Sequence, residues 1–199
     1  SVSKNASRKI KQLVRQSLSR AGANEALTYS FVQENILKRA EQDVSQAFKL
    51  SNALSPDLQY YRLSVLPSLL DKVHANIKAG HDEFVLFEIG KGHNKKYHLD
   101  DDEGLPRAMD FIDAVYASKN PSEGAAYYHI RRLVDQLGSD LGIKLVYKPI
   151  TESMDYPVTA PVDLVRSALV EAGGGVFIGM IGELKQSVTK GFKLPEYVA

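Results

Sequence analysis

The sequence predicts an α+β fold in which helices flank a largely antiparallel sheet. Three observations lead there. Helical and strand-like periodicities follow one another as helix, strand, helix, several strands, helix and further strands, without the regular alternation of a doubly wound parallel sheet. The run "EFVLFEIG" reads as a buried strand. Two β-rich runs, Ser167 to Glu171 and Val176 to Leu184, bracket "AGGG" closely enough to form a hairpin.

Each element has its own warrant. Ser7 to Arg20 is an amphipathic helix with Ile10, Leu13, Val14 and Leu18 on one face and Lys9, Lys11, Arg15 and Arg20 elsewhere; Gly22 stops it. Leu27 to Val32, within "EALTYSFV", has strand character. Glu34 to Gln42 predicts a short helix with Ile36, Leu37 and Ala40 inward, and Ala47 to Leu50 a short strand. "SNALSPD" is turn chemistry. Ser64 then serves as N-cap for a helix from Val65 to about Lys78, with Pro67 in the first turn, where its missing N–H costs nothing. Leu66, Leu69, Leu70, Val73 and Ile77 form its apolar stripe, and Gly80 ends it. Lys91 to Pro106 is polar and reads as an exposed hairpin tip or loop. Asp110 to Ala117 resumes β character, Tyr127 to Leu141 is helical, "IKLVYKPI" is a strand, and Gln186 to Gly191 is a last short helix.

The 199 residues are 44% hydrophobic and 25% charged, which describes a globular chain able to bury a core without staples. With no cysteine, disulfides, thiolate nucleophiles and Cys-ligated metals are excluded. No stretch approaches 18 consecutive apolar residues, so no membrane association is expected, and the N-terminal segment lacks the apolar run of a signal peptide. These features fit a cytoplasmic protein. The chain lacks an initiator Met and reads as a piece of something longer or a processed product, with residues 1–199 as one domain.

Candidate chemistry is sparse. His93 and His98 in "HNKKYH", and the run Asp100 to Glu103, are either metal ligands or solvated loop. His74 and His129 read as helix-surface or packed residues. The glycines at 173–175 precede a strand rather than a helix, which favours a tight turn over a phosphate cradle. Glu88 and Glu183 lie within strands, as catalytic carboxylates or as partners for Arg. Arg62, beside "YY" and just before an apolar helix, is expected to bury its stem and aim its fork at a carboxylate, at backbone oxygens or at a substrate anion. The helix Ser7 to Arg20 is the best candidate for a basic nucleic-acid face, with solvated charge as the alternative.

"NALSPDLQYYRLSVLPSLLDKVHANIKAG" followed by "LFEIG" resembles the pattern "N-P-L-S…R-x-S-L-L-P-x-L-L…N" and "F-E-I-G" of the β subunit of bacterial phenylalanyl-tRNA synthetases. "LTYSFV" resembles that family's "I-T-Y-S-F", "VFIGMIGEL" its "I-G-x-I-G-E-L", and "KLPEYV" the segment that follows; the order holds from about Arg8 to Val198. Ala53 stands where Pro is usual, "KGHNKK" replaces a stretch richer in Arg and aromatics, and "ELKQS" replaces "ELHP". The resemblance implies a degenerate class II aminoacyl-tRNA synthetase core. It implies a non-catalytic module that assembles with the catalytic α subunit for tRNA(Phe) aminoacylation. ATP, magnesium and phenylalanine are then handled by α, with no cofactor in this domain, and the editing and anticodon-binding domains lie before and after it. By the same resemblance, Arg62 and the Leu66–Ile77 helix, with Leu69, Leu70 and Val73, are similar to an element that packs at the subunit interface, with an ordinary core helix as the alternative; Glu88 or another sheet carboxylate is the candidate receiver for Arg62. The competing expectation is a stand-alone class II-like enzyme that binds a nucleotide or amino acid.

Overall fold

A computed structural model describes residues 2–53, 55, 57–97, 107–120, 125–151, 154 and 157–199. Among the described residues, helices α1 (Val2–Arg20), α2 (Glu34–Arg39), α3 (Leu66–Lys78), α4 (Ala126–Leu141) and α5 (Gln186–Phe192) alternate with nine strands. The strands are β1 (Ala23–Glu25), β2 (Phe31–Val32), β3 (Tyr60–Tyr61), β4 (Glu83–Gly92), β5 (Met109–Ser118), β6 (Leu145–Pro149), β7 (Val162–Ala172), β8 (Val176–Leu184) and β9 (Tyr197–Val198). They form a sheet ordered β1-β4-β5-β9, a pair β2-β3, and a sheet ordered β6-β7-β8. The β1–β4 pairing is parallel and the others are antiparallel.

β4 and β5 carry both cores. Side chains alternate across a strand, so neighbours point to opposite faces. Leu86, Val115 and Ala117 face one core with Leu37, Leu63, Leu69, Leu70, Val73, Val188 and Phe192 from α2, α3, α5 and the approach to α3. Phe87 and Tyr116 face the other with Val14 and Leu18 of α1 and Ile130 and Leu133 of α4. A strand buried on both sides reads as a continuous apolar run, which is why "FVLF" is legible. The β6–β8 sheet joins the second core through Ala168, Val170 and Ile181.

Several local expectations change. Residues 27–30 form no strand. Pairing with β4 ends at the bond from Ala26 N–H to Phe87 O, 2.8 Å, and only Phe31–Val32 pair again, with β3. Ala47 to Leu50 contributes a lone bridge, Lys49 to Tyr60. β1 carries no sequence signal because "ANE" is short and polar. Ser64 does not cap α3: its hydroxyl accepts from Gln42 Nε2 at 2.9 Å, and a carboxylate from β5 caps the helix instead. The glycine turn at 173–175 holds, with Gly174 and Gly175 at φ +86° and +81°. β4 and β5 pair as the arms of the expected hairpin, but His98 and Asp100 to Glu103 lie outside the described residues.

Candidate functional site

The chain crosses from β3 into α3 through Arg62, whose N–H donates to Ser30 O at 3.0 Å and whose carbonyl accepts from His93 N–H at 2.9 Å. Its side chain is 3% exposed, as is that of Glu88 on β4. Arg62 Nη2 donates to Glu88 Oε1 at 2.8 Å, Nη1 to Thr28 Oγ1 at 2.7 Å, and Nε to Lys91 O at 2.9 Å. Thr28 Oγ1 in turn donates to Glu88 Oε2 at 2.7 Å. Every guanidinium nitrogen and both carboxylate oxygens are therefore engaged, as a buried pair requires.

Glu88 stands directly across from Asp113 on β5. Asp113 Oδ2 accepts the N–H groups of Val65 and Leu66, at 3.0 and 2.7 Å, and so satisfies orphan donors at the start of α3. Burial pushes its carboxyl up to about 6. The two amides and Arg62 oppose that rise, while Glu88 adds to it. Gly90 makes the approach possible: a Cβ there would lie 2.4 Å from Arg62 Nη2 and 2.9 Å from Val65 Cγ2. The ensemble is a saturated joint that fastens the 26–30 segment, β4, β5 and α3 together. Arg62 and Glu88 are thus paired with each other, and Glu183 pairs with Arg166 at 2.7 Å.

The α3 stripe does not form an open docking face. Leu69, Leu70 and Val73 are fully buried, and Leu66 and Ile77 pack partly buried on the same core. That core needs the stripe because the β4–β5 face beneath it is itself apolar.

Part of the uncovered apolar surface lies on the opposite side of the sheet; another part, with Val165, Val176, Phe177 and Ile178, lies on β7 and β8. Leu18 and Val14 bury the C-terminal half of α1, but residues 6–10 are exposed; Ile10 is 53% and Leu13 49% exposed. Lys11 reaches Asp110 at the start of β5, at 2.7 Å, which sets Ile10 beside the strand end that carries Ile112, 49% exposed. Ile112 pairs with Ile89. Leu27 and Tyr29 are 85% and 76% exposed. Ile10, Leu13, Leu27, Tyr29 and Ile112 are thus apolar side chains that the fold leaves half or more exposed, or nearly so. The sequence put Ile10 and Leu13 on one face with Val14 and Leu18, and the fold buries only the last two of the four.

The basic face of α1 is partly neutralised by ion pairs, Lys11 with Asp110, Arg15 with Glu25 and Arg20 with Asp140, while Arg8 and Lys9 stand exposed. His129 stacks on Tyr116, and His74 Nδ1 lies 3.1 Å from Lys193 O. Among the described residues no group of three or more His, Asp or Glu side chains is placed to hold a metal, and no helix is long and apolar enough to cross a membrane. A cavity of about 270 Å³ is lined by Glu41, Asp43, Gln46, Thr159 and Lys185 among others. Glu41 there is held below the usual carboxylate range by Ser187 and Lys185.

Known proteins place this architecture. The structure is similar to a pyrrolysyl-tRNA synthetase from Desulfitobacterium hafniense, with a TM-score of 0.72 at 13% identity over 97% of this chain and 62% of that one. It is similar to Giardia lamblia prolyl-tRNA synthetase, solved with prolyl-adenylate, with a TM-score of 0.68 at 12% identity over 94% of this chain and 39% of that one. The fold is that of class II aminoacyl-tRNA synthetases. Phenylalanine–tRNA ligase β subunits of Thermotoga maritima and Geobacillus kaustophilus are 28% and 26% identical, covering 86% and 92% of this chain and 22% of each relative. The chain thus spans about a fifth of the length of these curated relatives. The family profile described as the phenylalanyl tRNA synthetase beta chain CLM domain matches residues 1–199, and the chain belongs to that family.

Proposed function

We propose that this chain is the non-catalytic core module of a phenylalanyl-tRNA synthetase β chain, and that it docks the catalytic α subunit of a cytoplasmic heterotetramer that charges tRNA(Phe). The observation that carries the reading is the exposure of the apolar side chains Ile10, Leu13, Leu27, Tyr29 and Ile112, which the chain itself leaves uncovered. Exposed apolar side chains with a basic border are the form of an interaction site. The saturated joint supports assigning ATP and magnesium to the α subunit, because the fork of Arg62 is already held by Glu88, Thr28 and the backbone. With three of the basic residues of α1 engaged in ion pairs, direct contact with tRNA is assigned to the rest of the complex.

The test is co-purification of the full chain with the α subunit, comparing wild type with Ile10→Asp/Leu13→Asp. Both residues are about half exposed, so the substitutions are expected to change stability by less than about 1 kcal/mol while abolishing the complex. Retention of the complex by the variant refutes the surface assignment. Calorimetry of the chain alone with millimolar ATP and phenylalanine is expected to give no heat; saturable binding would favour a self-sufficient small-molecule site.

A further inference from the structure

Leu27 and Tyr29 point outward while Thr28 between them turns inward. The segment has few bonds to hold it there. Ala26 N–H bonds Phe87 O at one end and Ser30 O accepts from Arg62 N–H at the other, at 2.8 and 3.0 Å. Between these points Thr28 Oγ1 supplies the anchor, accepting from Arg62 Nη1 and donating to Glu88 Oε2, each at 2.7 Å. A short segment outside any ladder samples many conformations unless something fixes it, and a partner that must order it binds more weakly.

We propose that Thr28 is a positioning residue for assembly: clamped between Arg62 and Glu88, it holds Leu27 and Tyr29 outward as a preformed strip for the catalytic subunit. This rests on the docking role given above. The buried ion pair then has a use at the surface, because it holds Thr28 and with it the backbone that presents the strip. α1 contains six basic residues and no acidic one, and Arg8 and Lys9 border Ile10 and Leu13. The complementary surface on the catalytic subunit is therefore apolar with a carboxylate rim, and a second copy of this chain, with the same basic border, is disfavoured.

The experiment is a double-mutant cycle on the full chain, read as affinity for the catalytic subunit. Thr28→Val keeps shape and removes both hydrogen bonds; Thr28→Ser keeps the hydroxyl. Thr28→Val is expected to weaken binding about tenfold, as the loss of one ordered anchor implies, and Thr28→Ser to stay near wild type. In a Leu27→Ala/Tyr29→Ala background, already weakened, Thr28→Val should add nothing, a coupling that a merely structural residue would not show. Thr28→Ala carries the same cycle if the valine variant does not fold. Amide hydrogen exchange at 26–30 should quicken in Thr28→Val without any partner present. Unchanged exchange, undiminished affinity, or an equal loss in both backgrounds overturns the proposal. Failure of the wild-type chain to bind the catalytic subunit would instead overturn the docking role on which it stands.

Discussion

Replacing Arg62 by Met tests the joint most directly. The guanidinium makes hydrogen bonds to Glu88, Thr28 and Lys91 O, and both ion-pair partners are 3% exposed. Met has comparable length and fills much of the space, so lost packing is a minor part of the effect. What remains is a buried Glu88 carboxylate that keeps the neutral partner Thr28 Oγ1, with Asp113 opposite it on β5. Removing one partner of such a pair costs about 3–5 kcal/mol, because the other is left charged and dry. For a chain of this size each kcal/mol moves Tm by about 2–4 °C, so the melt should fall by roughly 6–20 °C. The second arm is Arg62→Met/Glu88→Gln, which removes the stranded charge while keeping an acceptor for Thr28. It should recover at least half of the loss. Urea denaturation followed by circular dichroism at pH 7 measures both. A single variant that loses less than about 1 kcal/mol, or a double variant no more stable than the single, would show that the pair is not the buried joint described.

Asp113, with its carboxyl pushed up from 3.8 to about 6, binds a proton more readily folded than unfolded. Its contribution to stability is therefore greatest below about pH 4 and declines as pH rises toward 6. The stability of wild type minus that of Asp113→Asn should fall across that window by up to about 3 kcal/mol, less where the partly open residue is screened; a difference that rises or stays flat in paired urea titrations at pH 4 and 7 would contradict the assignment. Gly90→Ala drives a methyl into Arg62 Nη2 and should cost about 1–3 kcal/mol in the same assay, whereas Gly142→Ala, in open space but at φ +67°, should cost only about 1 kcal/mol from its backbone. Leu70→Ala, fully buried in α3, should cost about 2–5 kcal/mol, and a loss below about 1 kcal/mol would restore the stripe as a surface feature.

Some of the site was open to reading from residues alone. Arg62 between aromatic residues and an apolar helix had to bury its stem and find an oxygen, because a guanidinium does not lose its charge and must be satisfied wherever it lies. Glu88 was a candidate receiver on the same logic. Asp113 was not visible as a cap, because it is some fifty residues downstream of the helix it serves, and capping rules read only the residues next to a helix end. Thr28 was hidden inside an expected strand, where a threonine is unremarked.

By itself, the sequence determined which stretches are helical, which strands are apolar on both faces, where glycines turn the chain, and the motif order that marks the family. Those follow from local backbone preference and side-chain periodicity, which act within a few residues. Tertiary structure alone decided which apolar surface is left open. α3, the most apolar-looking helix, is covered because two other helices and a sheet close over it. α1 is partly bare: the fold covers Val14 and Leu18 and leaves Ile10 and Leu13 about half exposed. Exposure depends on what lies opposite a residue, and that is set by contacts between segments far apart in the chain.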